Sequence, residues 1–153
     1  MVFALIIINV KAQLSGTYTI GGTLPDYSTI LSATTALTTQ GVSGSVTFNI
    51  RNGTYYEYIA ITSIPGSSAS DTITFQSESG DSSLVKITYN TNSFMFANNC
   101  TVYREYGYYK FVLKNLTIEN TNQQGFAILI PSYSEMLLLK IAVYYHLFFH
   151  CKV

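Results

Sequence analysis

Seven carboxylates lie between residues 13 and 130: Asp26, Glu57, Asp71, Glu78, Asp81, Glu105 and Glu119. They are the groups best able to move protons or bind metal. Cleaving a sugar chain needs such groups in pairs, one to give a proton or hold a cation and one to act as base or nucleophile. No two of the seven fall at i, i+2 on one strand. Asp26 stands where a helix cap belongs, and Asp71 and Asp81 stand in turns. Glu78 and Asp81 flank Gly80, which makes either a weak Ca²⁺ site or a solvated turn. Glu57 follows Gly53-Thr54-Tyr55 and reads as a partner for Arg51 or as an edge charge. Arg104 and Glu105 read as an exposed loop pair. His146 and His150 have a metal spacing for a helix, but only Cys151 accompanies them, so a structural role is the expectation. No catalytic residue, bound metal or cofactor is expected.

Tyrosine is the other residue type that could do work. Tyr103, Tyr106, Tyr108 and Tyr109 crowd one segment. Exposed aromatic rings stack on sugars, so these four are glycan-contact candidates; packing a long loop is the alternative. Cys100 and Cys151 are too few for a disulfide scaffold and are read as two thiols, with a single bridge as the alternative. Asn52, Asn99 and Asn115 match the N-x-Ser/Thr pattern.

The elements that must position these groups are visible in the composition. Only 10% of residues are charged, and eight basic residues balance eight acidic ones. With no basic excess to displace counterions, a nucleic-acid partner is not expected. Apolar residues make up 48%, enough to drive collapse, which argues against disorder. The chain holds 18 Thr, 16 Ser and 13 Tyr, a β-forming composition rather than that of a coiled coil.

Residues 14–24 read as a short strand and turn. From Asp26 to Gln40 the period changes: Tyr27, Ile30, Leu31, Ala33, Ala36 and Leu37 mark one helical face, with Asp26 as cap and Gly41 as terminator. Strand runs follow at Val46–Ile50, Tyr58–Ile61, Thr72–Gln76, Val85–Tyr89, Phe94–Ala97, Lys110–Ile118 and Phe126–Ile130. Between them lie Asn-, Gly- and Ser-rich turns. Phe48, Phe75, Phe94–Phe96 and Leu116–Ile118 are spaced by roughly 21–27 residues, and Ile59 to Ile87 by about 28, which points to a solenoid repeat. A β-sandwich is the competing arrangement.

The stretch SGTYTIGG, DYSTI, GVSG, VTFNIRNGTYYEYIAI and SIPGSSASDTITFQSESGDSS, with Lys114-Asn115-Leu116-Thr117-Ile118 later, resembles the opening of secreted right-handed parallel β-helix proteins of the Bacteroidetes type. These belong to the pectin lyase-like superfamily. The resemblance covers about residues 15–130 and implies an amphipathic helix over the open end of the solenoid, followed by some four rungs. It also implies carbohydrate chemistry on the outer face: Asp/Glu around Ca²⁺ with a basic residue, several Asp with a His, or two Asp with Gln and Arg. The acids counted above form none of these sets.

The ends are read separately. Met1–Val10 is an uncharged apolar run followed by Val10-Lys11-Ala12, the remnant of a signal peptide cut after Ala12; a buried first strand is the alternative. It is too short to span a bilayer. Residues 131–153 turn abruptly apolar and read as a helical segment or as aberrant sequence from truncation or frameshift. The expected organisation is therefore 1–12 signal remnant, 13–130 capped all-β parallel β-helix, and 131–153 apolar tail. The expected function is a non-catalytic, secreted or outer-surface adhesion or scaffold module that contacts polysaccharide or cell-surface glycan and belongs to a longer β-helix chain. The competing expectation is a fragment of a carbohydrate-active enzyme whose active rungs lie elsewhere.

Overall fold

A computed structural model describes residues 12–61, 64–68, 70–91, 94–98, 110–122, 126–130, 136–139, 142–144 and 147–149. The described residues are mostly strand, with one helix. Every strand ladder is parallel.

The first strand, β1 (Leu14–Ile20), leads through a loop to α1 (Ile30–Gln40) and then to β2 (Val42–Ile50). Short strands follow: β3 (Gly53–Tyr56), β4 (Ile59–Ile61), β5 (Thr72–Ser77), β6 (Val85–Tyr89), β7 (Phe94–Asn98), β8 (Lys110–Lys114), β9 (Thr117–Asn120) and β10 (Phe126–Ile130). The last three are β11 (Met136–Leu139), β12 (Ala142–Tyr144) and β13 (Leu147–Phe149). They form three sheets, ordered β1-β2-β5-β8-β11, β3-β6-β9-β12 and β4-β7-β10-β13. From β2 onward the chain visits the sheets in a fixed cycle, and each strand pairs with the one three places later.

Alternation sets which face is buried. In β2, Val46, Phe48 and Ile50 are fully buried while Thr47 and Asn49 are half-buried. Parallel register then stacks like on like. Tyr18, Phe48 and Phe75 share one column. The Phe48 and Phe75 rings stack at 4.6 Å, and the Tyr18 and Phe48 rings at 5.8 Å. On the opposite face Thr17, Thr47 and Thr74 are in register, and the Gln76 amide donates to Asn49 Oδ1 at 2.8 Å. Removing that amide contact with Gln76→Ala is expected to cost about 0.5–1.5 kcal/mol by urea unfolding. Both partners are half-buried, so a result near zero would show that water replaces the contact.

The helix is held by packing and by its caps. Ile30, Ala33 and Leu37 are fully buried, and α1 lies against β1 and β4. Its threonines bend their hydroxyls back: Thr34 and Thr35 donate to the Leu31 carbonyl, Thr38 to Thr34, and Thr39 to Thr35. This gives each hydroxyl a partner inside the turn without raising the poor helix propensity of threonine, so the helix depends on its packing and caps. Gly41 ends the helix at φ 73°, and a Cβ there would stand 2.4 Å from the Pro65 carbonyl oxygen.

Several expectations are corrected. Asp26 is not the helix cap. Thr29 is, with Ser32 completing a capping box, and the helix begins at Ile30. Asp26 instead accepts from the Thr19 amide at 2.7 Å and its hydroxyl at 2.8 Å, which pins the loop after β1. The single run expected at Lys110–Ile118 is two strands, because Asn115 turns the backbone at φ 54°. The run at Tyr58–Ile61 is β4, which starts at Ile59, and β3 (Gly53–Tyr56) is a further strand that the expected runs did not include. The expected columns mixed sheets: Phe75 pairs with Leu113, whereas Phe96 pairs with Ile59 and Ile128. The described part of the apolar tail is strand rather than helix, with β11, β12 and β13 extending the three sheets from β8, β9 and β10.

Candidate functional site

Each described carboxylate has a structural partner. Asp26 serves Thr19. Glu57 reaches across from the β3–β4 connection to the start of α1, accepting from the Ile30 amide at 3.2 Å and the Leu31 amide at 2.6 Å. Asp71 accepts from the Ser68 hydroxyl at 2.7 Å. Glu78 lies 3.4 Å from Arg51 Nε. Asp81 accepts from the Ser83 amide at 2.9 Å and its hydroxyl at 2.7 Å. Glu119 forms an ion pair with Lys86.

Two of these carboxylates are tuned by their partners. The Thr19 amide and hydroxyl hold Asp26 below its ordinary 3.8, and the Ser83 hydroxyl and amide do the same for Asp81. A carboxylate depressed by folding adds stability above its unfolded value, and that stability is lost as pH falls through the folded value. Asp26→Asn is therefore expected to flatten the acid side of the stability profile below about pH 4. A thermal melt series from neutral to acidic pH checks this; an unchanged acid limb contradicts it.

The proposed Glu78–Asp81 pair is thus divided, with one oxygen turned to Arg51 and the other carboxylate closed on Ser83. Glu57 does not serve Arg51, whose guanidinium meets Glu78 and donates to the Gly21 and Thr23 carbonyls. Among the described residues, no group of three or more His, Cys, Asp or Glu could hold a metal ion. No described helix is long and apolar enough to cross a membrane.

Tyr103, Tyr106, Tyr108 and Tyr109 lie outside the described residues, as do Arg104, Glu105, His146, His150, Cys100, Cys151, Asn99 and the apolar run before Ala12. A different tyrosine group stands exposed. Tyr56 ends β3 and is 77% exposed, Tyr58 precedes β4 at 40%, and Tyr89 ends β6 at 41%. The Tyr58 and Tyr89 rings lie 6.2 Å apart at 52°. Tyr56 pairs in register with Thr88, the residue before Tyr89, and Thr88 pairs with Glu119. The Thr88 hydroxyl is buried with no hydrogen-bond partner. Beside it, buried Asn120 donates to the Thr91 carbonyl at 2.9 Å and accepts from the Asn122 amide at 3.0 Å, fixing the turn after β6 and β9.

Sequence reasoning missed the Tyr58–Tyr89 contact because the two residues lie in different strand runs, and only the fold brings their rings together. No protein-family model, curated protein or solved structure matches the chain.

Proposed function

We propose that the chain is a non-catalytic module of a secreted or cell-surface protein that holds polysaccharide without cleaving it. The observation that carries this reading is the engagement of every described carboxylate in a structural contact. A catalytic acid or base must be open to its substrate and tuned to its reaction. Here the acids pin loops, cap a helix and cancel cations instead.

The architecture we propose with it is a right-handed parallel β-helix. Three parallel sheets visited in a fixed cycle support this, since parallel crossovers are right-handed in about 98% of cases. The helix α1 against β1 and β4 supports the capping role, because an open stack end must be covered. The resemblance to secreted β-helix proteins of the pectin lyase-like superfamily points the same way. Such a scaffold gives a stiff, largely uncharged outer face suited to adhesion or spacing.

Co-sedimentation tests the holding role. The full chain is expected to pellet with washed cell-wall material or insoluble glucan, and to be removed by protease from intact producing cells. Protein wholly in the supernatant, or protected inside intact cells, overturns it.

A further inference from the structure

We propose that the exported protein begins at Gln13 and that this residue closes on itself to a pyroglutamate, so that the mature chain starts with a neutral lactam. The inference rests on the secreted or cell-surface reading proposed above and adds a covalent modification site to it.

The cut comes first. Val10 and Ala12 are small residues of the kind a signal peptidase accepts at the third and first positions before its cut, and they follow the apolar run Met1–Val10. Gln13 is the residue left at the new terminus. The fold begins just beyond it. Ala12 and Gln13 are exposed and precede β1, whereas Leu14 is 2% exposed, pairs with Val42 and donates its amide to the Gly41 carbonyl at 2.9 Å. A cut before Gln13 therefore takes no described residue out of the core or the sheets. A cut one bond later would turn the Leu14 amide into an ammonium at a buried position, which is costly.

A terminal glutamine carries its own electrophile. The α-amino nitrogen attacks the side-chain Cδ. The N–Cδ bond forms, the Cδ–Nε2 bond breaks, and Nε2 leaves as ammonia with a proton from the attacking amine. Nothing is oxidised or reduced, and no co-reactant is needed. The attacking form is the neutral amine, roughly a tenth of a terminus whose pKa is about 7.7–8.0 when the pH is about 7. Both groups belong to one residue, so the step is intramolecular and proximity lowers its barrier.

The surroundings leave the step open. The Gln13 carboxamide lies beside the Pro65-Gly66 turn, where a Cβ on Gly66 would stand 3.0 Å from Nε2. Among the described residues, no hydrogen bond holds it there. The side chain is thus able to swing back to its own amine. The product also suits the place. An ammonium on Gln13 would stand one residue from buried Leu14, and the lactam removes that charge while keeping one N–H.

Intact-mass measurement and Edman sequencing of the full protein test this, on material taken from the medium or the surface of producing cells. The expected mass is that of a chain starting at Gln13 less one ammonia. Edman sequencing should be blocked, and pyroglutamyl aminopeptidase should unblock it to read Leu14 first. Exported Gln13→Ser cannot cyclise, so it should start at the substituted residue, lose no ammonia and sequence without treatment. A free amine on exported Gln13, or a blocked Gln13→Ser chain, overturns the lactam and leaves the secreted reading standing. Exported protein that starts at any other residue overturns the cut as well. Protein found only inside the cells overturns the secreted reading itself.

Discussion

Phe48→Ala is expected to destabilise the protein by about 3–5 kcal/mol, the largest effect of any single side-chain truncation proposed for this chain. Phe48 is fully buried and stands in the middle of an aromatic column. It stacks on Phe75 at 4.6 Å and on Tyr18 at 5.8 Å, and Tyr27 meets its edge at 5.8 Å. Truncation therefore leaves a cavity that three rings line, and rings fixed on three different segments cannot all move in to fill it. The loss also cuts the packing between β1, β2 and β5, so the transition should broaden as neighbouring strand sets uncouple. Phe48→Leu should recover more than half of the stability, and Thr47→Ala, one residue away on the opposite face, should stay within about 0.5 kcal/mol of the wild type. Guanidinium unfolding followed by circular dichroism measures all three. A Phe48→Ala cost below about 1 kcal/mol would contradict the stacked column.

Glu57→Ala is expected to cost about 2–3 kcal/mol and to act at a distance in sequence. Its two oxygens accept from the Ile30 and Leu31 amides, so one side chain satisfies two of the four donors that a helix start leaves unpaired. A carboxylate there also meets the positive end of the helix dipole. Each charge-assisted bond is worth about 1.5–3 kcal/mol when buried, but Leu31 is half exposed, which places the pair toward the low end. Glu57→Gln keeps one accepting oxygen and should lose about half as much. Amide hydrogen exchange gives the decisive readout. Ile30 and Leu31 should exchange faster in Glu57→Ala, while the β6 amides of Ile87 and Thr88 should not. Equal acceleration everywhere would mean that Glu57 stabilises the fold generally and does not clasp the helix.

The sequence carried the strands whose two faces differ. Val46, Phe48 and Ile50 alternate with Thr47 and Asn49, and Val85 and Ile87 flank Lys86, so period two is plain and both strands lie where it predicts. The helix was legible from Ile30, Ala33, Ala36 and Leu37, but its start was not. Asp26 and Thr29 both have capping side chains, and only Thr29 has Ser32 three residues on to close the capping box. Asp26 was claimed by Thr19, a contact set by the fold of the loop rather than by spacing.

Register was the least legible feature. Val46 and Ile73 are partners 27 residues apart, but Ile73 and Phe111 are partners 38 apart, because the connections differ in length. A fixed period therefore put Phe94–Phe96 in the wrong sheet. The tail misled for a related reason. Met136–Leu139 and Leu147–Phe149 carry apolar residues at successive positions, so they read as an apolar run of no definite period. The candidate site suffered most, since the partners of Glu57, Glu78 and Glu119 lie 26–33 residues away in sequence.

The most direct test of the central claim is chain-length analysis of polysaccharides incubated with the full-length protein. The panel should include neutral glucans, polygalacturonate and alginate, with mass spectrometry of the soluble products. If the described acids are committed to structure, chain lengths stay unchanged at every pH between about 4 and 9, the range in which catalytic carboxylates, histidines and lysines operate. Release of shortened or unsaturated oligosaccharides, abolished by Glu78→Gln or Glu119→Gln, would contradict it and make the protein an enzyme.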